Sequence, residues 1–190
     1  SARVTENLLD ADYRESGLKT ELRLAAWWGS ICGTSFLKTY WDKTALDVSG
    51  VKGKVCTEQI DPFHVYIPDL LMTDIEKEPY VIHATIMNCE TAKNRWGKDF
   101  TPNVASAVGI LEDQFLNLIG IQQSKKDQVL NLEFWIKPGM FKLFPNGAIL
   151  TVCGDQVVQC KEGMPYDHGQ FPFAKVTDID TGKFYGERVL

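Results

Sequence analysis

LNLEFWIKPGMFKLFPNGAILTVCGDQVVQC, residues 130–160, is the stretch whose reading decides the fold. Leu130 to Lys137 reads as a strand, and Phe141 to Phe144 continues the β pattern up to Pro145-Asn146-Gly147. Asn-Gly is the strongest short hairpin signal, because both residues tolerate positive φ. Ala148 to Cys153 returns, Gly154-Asp155 turns the chain again, and Val157 to Cys160 forms another short strand. Short strands joined by tight turns make a meander, and a meander is antiparallel.

Upstream, Tyr80 to Asn88 (YVIHATIMN) is a strand, followed by a short helix from Thr91 to Trp96 that Gly97 closes. Lys54 to Ile60 is a strand of alternating character; Asp61-Pro62 punctuates the chain, and Phe63 to Ile67 resumes it until Pro68-Asp69. Thr34 to Trp41 (TSFLKTYW), rich in β-branched and aromatic residues, is a strand entered through Gly33, a left-handed helix cap. Before it lie two helices, Asn7 to Glu15 and Leu18 to about Ile31, broken near Ser16-Gly17. Residues 98–128 read as an insertion, with an amphipathic helix expected over Val104 to Ile119 and a polar loop at Gln122 to Gln128 whose Lys125 and Lys126 mark a solvated tip. Met164 to Leu190 is loop-rich. The expected class is α+β, with N-terminal helices packed on mostly antiparallel strands and hairpins.

Composition sets outer limits. The chain has 190 residues, 44% hydrophobic and 24% charged, with a formal charge of −5. That is enough for one domain, or two small ones, and too apolar for disorder. No apolar run approaches the roughly 18 residues of a membrane span. No basic segment followed by an apolar one opens the chain, so a secretory signal is expected to be absent or already removed. The acidic balance argues against a broad basic face that grips nucleic acid. The five cysteines, Cys32, Cys56, Cys89, Cys153 and Cys160, are odd in number and lack a C-x-x-C pair, which fits reduced thiols in a cytosolic compartment.

No catalytic motif emerges. The chain carries no G-x-S-x-G, Walker loop, G-x-G-x-x-G or paired-histidine zinc signature, and His64, His83 and His168 share no ligand spacing. Asp178-Ile179-Asp180-Thr181-Gly182 resembles the opening of a calcium loop but lacks its later acidic positions, so it reads as an exposed turn. Asp61 near His64 could form an acid–base pair, but Asp-Pro is a common turn opener and no nucleophile accompanies it. Cys32, at the C-terminal end of a helix, meets partial negative charge that raises a thiol pKa. Phe36, Tyr40, Trp41, Phe63, Tyr66, Phe134 and Trp135 have only Lys38 and Lys137 among them, which favours packing over stacking on bases. Trp27 and Trp28 point about 100° apart on their helix. One can face the core, while the other finds a second surface or stays partly wet: the pair reads as a wide apolar stripe or, since tryptophan is enriched at interface cores, as the candidate subunit contact.

Taken in order, several segments resemble the portal, or head-to-tail connector, proteins of tailed double-stranded-DNA phages. The first is Ile31-Cys32-Gly33-Thr34-Ser35-Phe36-Leu37-Lys38-Thr39-Tyr40-Trp41-Asp42, similar to the family's helix, Gly-Thr-Gly-Phe-like step and strand ending in Trp-Asp. The second is Ile60-Asp61-Pro62-Phe63-His64-Val65-Tyr66-Ile67-Pro68-Asp69. The third is Glu133-Phe134-Trp135-Ile136-Lys137 with Pro145-Asn146-Gly147 and Thr151-Val152-Cys153-Gly154. Tyr166-Asp167-His168-Gly169-Gln170-Phe171-Pro172-Phe173 and Phe184-Tyr185-Gly186-Glu187 complete the set. The chain departs from the pattern at Ser35, where a second glycine is usual, and at Arg188, where a small residue often follows.

The resemblance implies that residues 1–190 form a single wing-like domain with a variable insertion at about 98–128, a fragment ending near the start of a long stem helix. It implies a structural, non-enzymatic role without cofactor or metal: a homo-oligomeric ring at the capsid vertex, assembled in the host cytoplasm and resident in the virion. The implied partners are capsid, terminase and tail-connector proteins, with double-stranded DNA passing through the channel without sequence-specific binding, and no membrane. Two other classes stay open. One is a small enzyme or cofactor-binding α+β domain using a Cys/His pair such as Cys32 and His64. The other is a nucleic-acid-binding module with steeply salt-dependent affinity.

Overall fold

The computed structural model describes residues 2–46, 50, 52–103 and 127–188. The fold is α+β, with helices and two antiparallel sheets. The described residues fall into two compact units, one within Ser1–Pro62, Leu70–Ile75 and Pro172–Leu190, the other within Phe63–Asp69 and Glu76–Phe171.

The first unit starts with α1 (Ala2–Glu15) and α2 (Leu18–Cys32), separated by Gly17 at φ 70°. α2 buries Ala25 and Gly29 and ends at Gly33, whose φ of 78° lets its N–H reach Gly29 O at 2.7 Å. β1 (Thr34–Leu46) follows at once and pairs with β2 (Lys52–Ile60) on one side and β8 (Phe173–Thr177) on the other. Phe36, the third residue of the central strand β1, is fully buried and stacks on Phe184 with ring centroids 5.8 Å apart. Ile60, Ile75 and Phe173 complete this core. Glu21 ties the helix to the sheet, because its Oε2 accepts the Gln59 N–H at 2.7 Å and so covers a donor on the β2 edge.

The second unit is a five-stranded sheet in the order β3 (Val65–Tyr66), β4 (Tyr80–Asn88), β5 (Gln128–Ile136), β6 (Ala148–Cys153), β7 (Gln156–Glu162). β4 and β5 stay in register from Tyr80 opposite Ile136 to Asn88 opposite Gln128. Asn88 caps α3 (Cys89–Trp96) by accepting the Glu90 N–H at 2.9 Å, and Gly97 at φ 68° ends it. α3 lays Ala92 against Val129 and Cys153, with Met87, Trp96 and Phe100 around them.

Several sequence expectations need correction. Phe141 to Phe144 is no strand of the meander: those two residues form an isolated bridge inside the 137–147 connection, and the partner of β6 is β5. Pro138 and Pro145 withhold donors there, and the connection closes on its own turns instead. Phe63 to Ile67 is a 3-10 turn at Pro62–His64 followed by the two-residue β3. The loop-rich tail contains β8, which pairs antiparallel with β1 from Lys38 opposite Phe173 to Thr34 opposite Thr177. The amphipathic helix expected over 104–119 and the lysines at 125 and 126 lie outside the described residues. Asn103 and Asp127, which flank that stretch, tie down β5 and α3: Asn103 Oδ1 accepts the Leu130 N–H at 3.1 Å and Asp127 O accepts the Cys89 N–H at 2.8 Å.

Candidate functional site

Helical spacing on α2 sorts the two tryptophans. Trp27 is 51% exposed and Trp28 half-buried, with the rings edge-to-face at 5.3 Å and 82°. Thr20, Arg23, Leu24 and Trp27, at positions i, i+3, i+4 and i+7, line one shallow groove. Leu22 and Leu24 are also exposed, on opposite sides of the helix, so α2 buries small residues at Ala25 and Gly29 and turns a mixed face of Thr20, Arg23, Leu24 and Trp27 to water.

Cys32 is the last residue of α2 in the first unit, and His64 closes the 3-10 turn that opens the second. Burial pushes the Cys32 thiol up, the Asp61 charge adds to it, and Arg188 opposes both, which disfavours a thiolate nucleophile. Asp180 Oδ1 accepts the Gly182 N–H at 2.9 Å and Thr181 Oγ1 donates to Tyr185 O at 3.1 Å, so the Asp-rich segment is a self-closed turn. Among the described residues, no three His, Cys, Asp or Glu side chains converge as a metal set. Of the aromatics, Phe36, Phe173 and Trp135 are buried. Trp41 stays 51% exposed, but its ring lies over Gly53, where a Cβ would collide with it. Lys38 is 6% exposed, with its ammonium 5.5 Å from the Tyr40 ring centroid and 5.7 Å from that of Phe173. Burial, followed by the charge of Glu58, pushes the Tyr40 hydroxyl up to about 12.

Segments far apart in the sequence meet at a joint in the first unit. The Gly186 N–H donates to Thr34 Oγ1 at 2.8 Å, and the Asp178 N–H donates to Gly33 O at 3.1 Å. Main-chain bonds between Ile179 and Glu187 at 3.1 and 3.2 Å close the loop between them. A side chain at Gly33 would fall on the Gly186 carbonyl, so this approach requires glycine. Lys175 locks the same region, donating to Thr73 O at 2.5 Å and Phe184 O at 3.0 Å; its pKa is lowered by burial.

No family model matches the chain, and no curated protein matches it. No described helix is long and apolar enough to cross a membrane.

Two features of the second unit escaped sequence reading. Lys137 Nζ donates to Glu76 Oε2 at 2.6 Å while Glu76 Oε1 accepts the Phe171 N–H at 3.0 Å, and the Lys137 ammonium stands 4.9 Å from the Phe171 ring. That clip joins residues 61 and 95 positions apart in the chain. The other is an apolar pocket of about 240 Å³. Ile82 from β4 and Phe134 and Ile136 from β5 form its floor, Tyr80 tilts onto Phe141 at 6.1 Å, and Leu143 and Phe144 close the side. That β4 and β5 are strands was legible; the convergence of the 141–144 loop over them was not.

Proposed function

We propose that this chain is structural, part of a subunit of a portal-like homo-oligomeric ring at a capsid vertex through which DNA passes. The observation that carries the reading is the half-exposed Trp27, which stands with Leu24, Arg23 and Thr20 on the outer face of α2. An exposed tryptophan beside Leu24 and Arg23 has the composition of an interface hot spot. A ring is built from heterologous contacts, one patch meeting a different patch on the next copy, and an α2 face that is not matched within its own unit suits such a contact. The motif segments support the reading in a second way. Residues 31–42 and 184–187, which carry much of the portal resemblance, form one packed joint through Gly33, Thr34, Phe36, Phe184 and Gly186. The raised Cys32 thiol works against the Cys/His enzyme alternative.

The experiment is imaging of the full natural polypeptide by negative stain, with the Trp27→Glu variant alongside. Rings with a central channel, lost or weakened in the variant, support the proposal. Compact monomers for the wild-type protein reject it.

A further inference from the structure

The pocket on the five-stranded sheet has a chemistry that a ring contact at α2 leaves unused. Its volume of about 240 Å³ falls below the roughly 300–1,000 Å³ of sites for drug-sized ligands and suits one large apolar side chain. Its mouth is already shaped. The Gly139 N–H donates to Pro145 O at 2.9 Å, the Phe144 N–H to Phe141 O at 3.1 Å, and the Gly147 N–H to Phe144 O at 3.0 Å. A loop held by its own turns loses little entropy on binding. Met140 and Leu143 beside it are 52% and 76% exposed, so apolar surface surrounds the hole.

The charge around the mouth selects the occupant. The sequence carries no Asp or Glu from Phe134 to Gly154, in a chain whose net charge is −5. Of the two lysines in the 137–147 connection, Lys137 is held by Glu76, and Lys142 is exposed next to Phe141 and Leu143. The carboxylate that shares this row of the sheet, Glu162, lies beyond Ala148 on the edge strand β7. We propose that the pocket docks an acidic segment of another protein, with one large apolar side chain in the hole and neighbouring carboxylates facing Lys142. The exposed Trp27 of a second copy is a poorer occupant, because Arg23 in its groove would bring like charge against Lys142. This assignment is independent of the ring reading.

The test is fluorescence anisotropy at low salt with a short labelled peptide in which one tryptophan is flanked by aspartates and glutamates. The expected result is saturable binding, weakened about tenfold or more when the peptide tryptophan becomes alanine or when the protein carries Lys142→Glu. Glu162→Gln, which removes the carboxylate on the same row, is expected to strengthen binding. Lys142 and Glu162 are both exposed, so neither change threatens folding. Absent binding, or equal binding of a peptide with lysines in place of the acids, overturns the proposal. So does concentration-dependent self-association abolished by Leu143→Glu, which would assign the pocket to a second copy.

Discussion

Gly33→Ala carries two penalties that can be measured separately. The backbone there sits at φ 78°, a region that costs a residue with a side chain about 1–2 kcal/mol. The new Cβ would also fall 2.7 Å from the Gly186 carbonyl carbon and 2.8 Å from that of Glu187. Those atoms belong to a bridged loop, so relief needs a main-chain shift, and overpacking of this kind costs about 1–3 kcal/mol. The sum, about 2–5 kcal/mol, is a large share of the 5–15 kcal/mol that holds a typical domain. Gly17 provides the control, because its φ is 70° and no atom lies within 4 Å of where its Cβ would be. Gly17→Ala should therefore lose only the conformational 1–2 kcal/mol or so. Asparagine tolerates this backbone region, so Gly17→Asn should be nearly neutral, while Gly33→Asn keeps the steric loss of about 1–3 kcal/mol. Urea unfolding followed by tryptophan fluorescence reads these as midpoint shifts, on the order of 1 M for Gly33→Ala at unchanged slope. Equal losses at Gly17 and Gly33 would refute the packed joint between residues 33 and 186.

Other consequences follow from the buried and paired charges. Glu78 is 1% exposed, and burial raises its carboxyl above the ordinary 4.5; the Asp69 main-chain N–H opposes the shift and the Asp69 charge adds to it. A raised folded pKa means stability that is fully present below the unfolded value and lost as pH rises through the folded one. Glu78→Gln should flatten that decline in urea midpoints measured from pH 4 to 8, and a parallel decline in both proteins would count against it. A double-mutant cycle with Glu76→Gln and Lys137→Met should return a coupling of about 1 kcal/mol or more, because both side chains are largely shielded from water. Additive losses would mean the clip contributes nothing. Alkylation at neutral pH should reach the exposed Cys160 first and Cys153, which is fully buried with its thiol raised by burial, only on unfolding. Mass spectrometry of a labelling time course reads the order, and early loss of Cys153 would contradict it.

What could be read from the sequence was whatever rests on local physics. Tyr80–Asn88 is rich in β-branched and apolar residues and flanked by Pro79 and an Asn cap, so the bounds of β4 were legible. Gly33 ended α2 where a left-handed cap was expected, and Gly154, at φ 62°, sits in the tight β6–β7 turn. Phe141-Lys142-Leu143-Phe144 misled because apolar alternation over so few residues fits a turn-rich loop as well as a strand. β8 was missed because five residues after Pro172 carry little pattern, and their partner strand begins 139 positions before them: Thr34 to Phe173. The tryptophan pair shows the limit for the candidate site. Helical geometry said that two adjacent rings diverge, but the packing of Ala25 and Gly29 decided that Trp27 is the more exposed one. The pocket and the Lys137 clip join three segments each, and no local signal announces such a meeting.

The most direct test of the central claim is the mass and shape of the assembled full natural polypeptide, measured by native mass spectrometry together with negative-stain imaging. The account predicts closed rings of a single subunit type with an open centre, and smaller species when Trp27 is replaced by glutamate. A wild-type protein that stays monomeric at every concentration, or rings indifferent to Trp27→Glu, would contradict it.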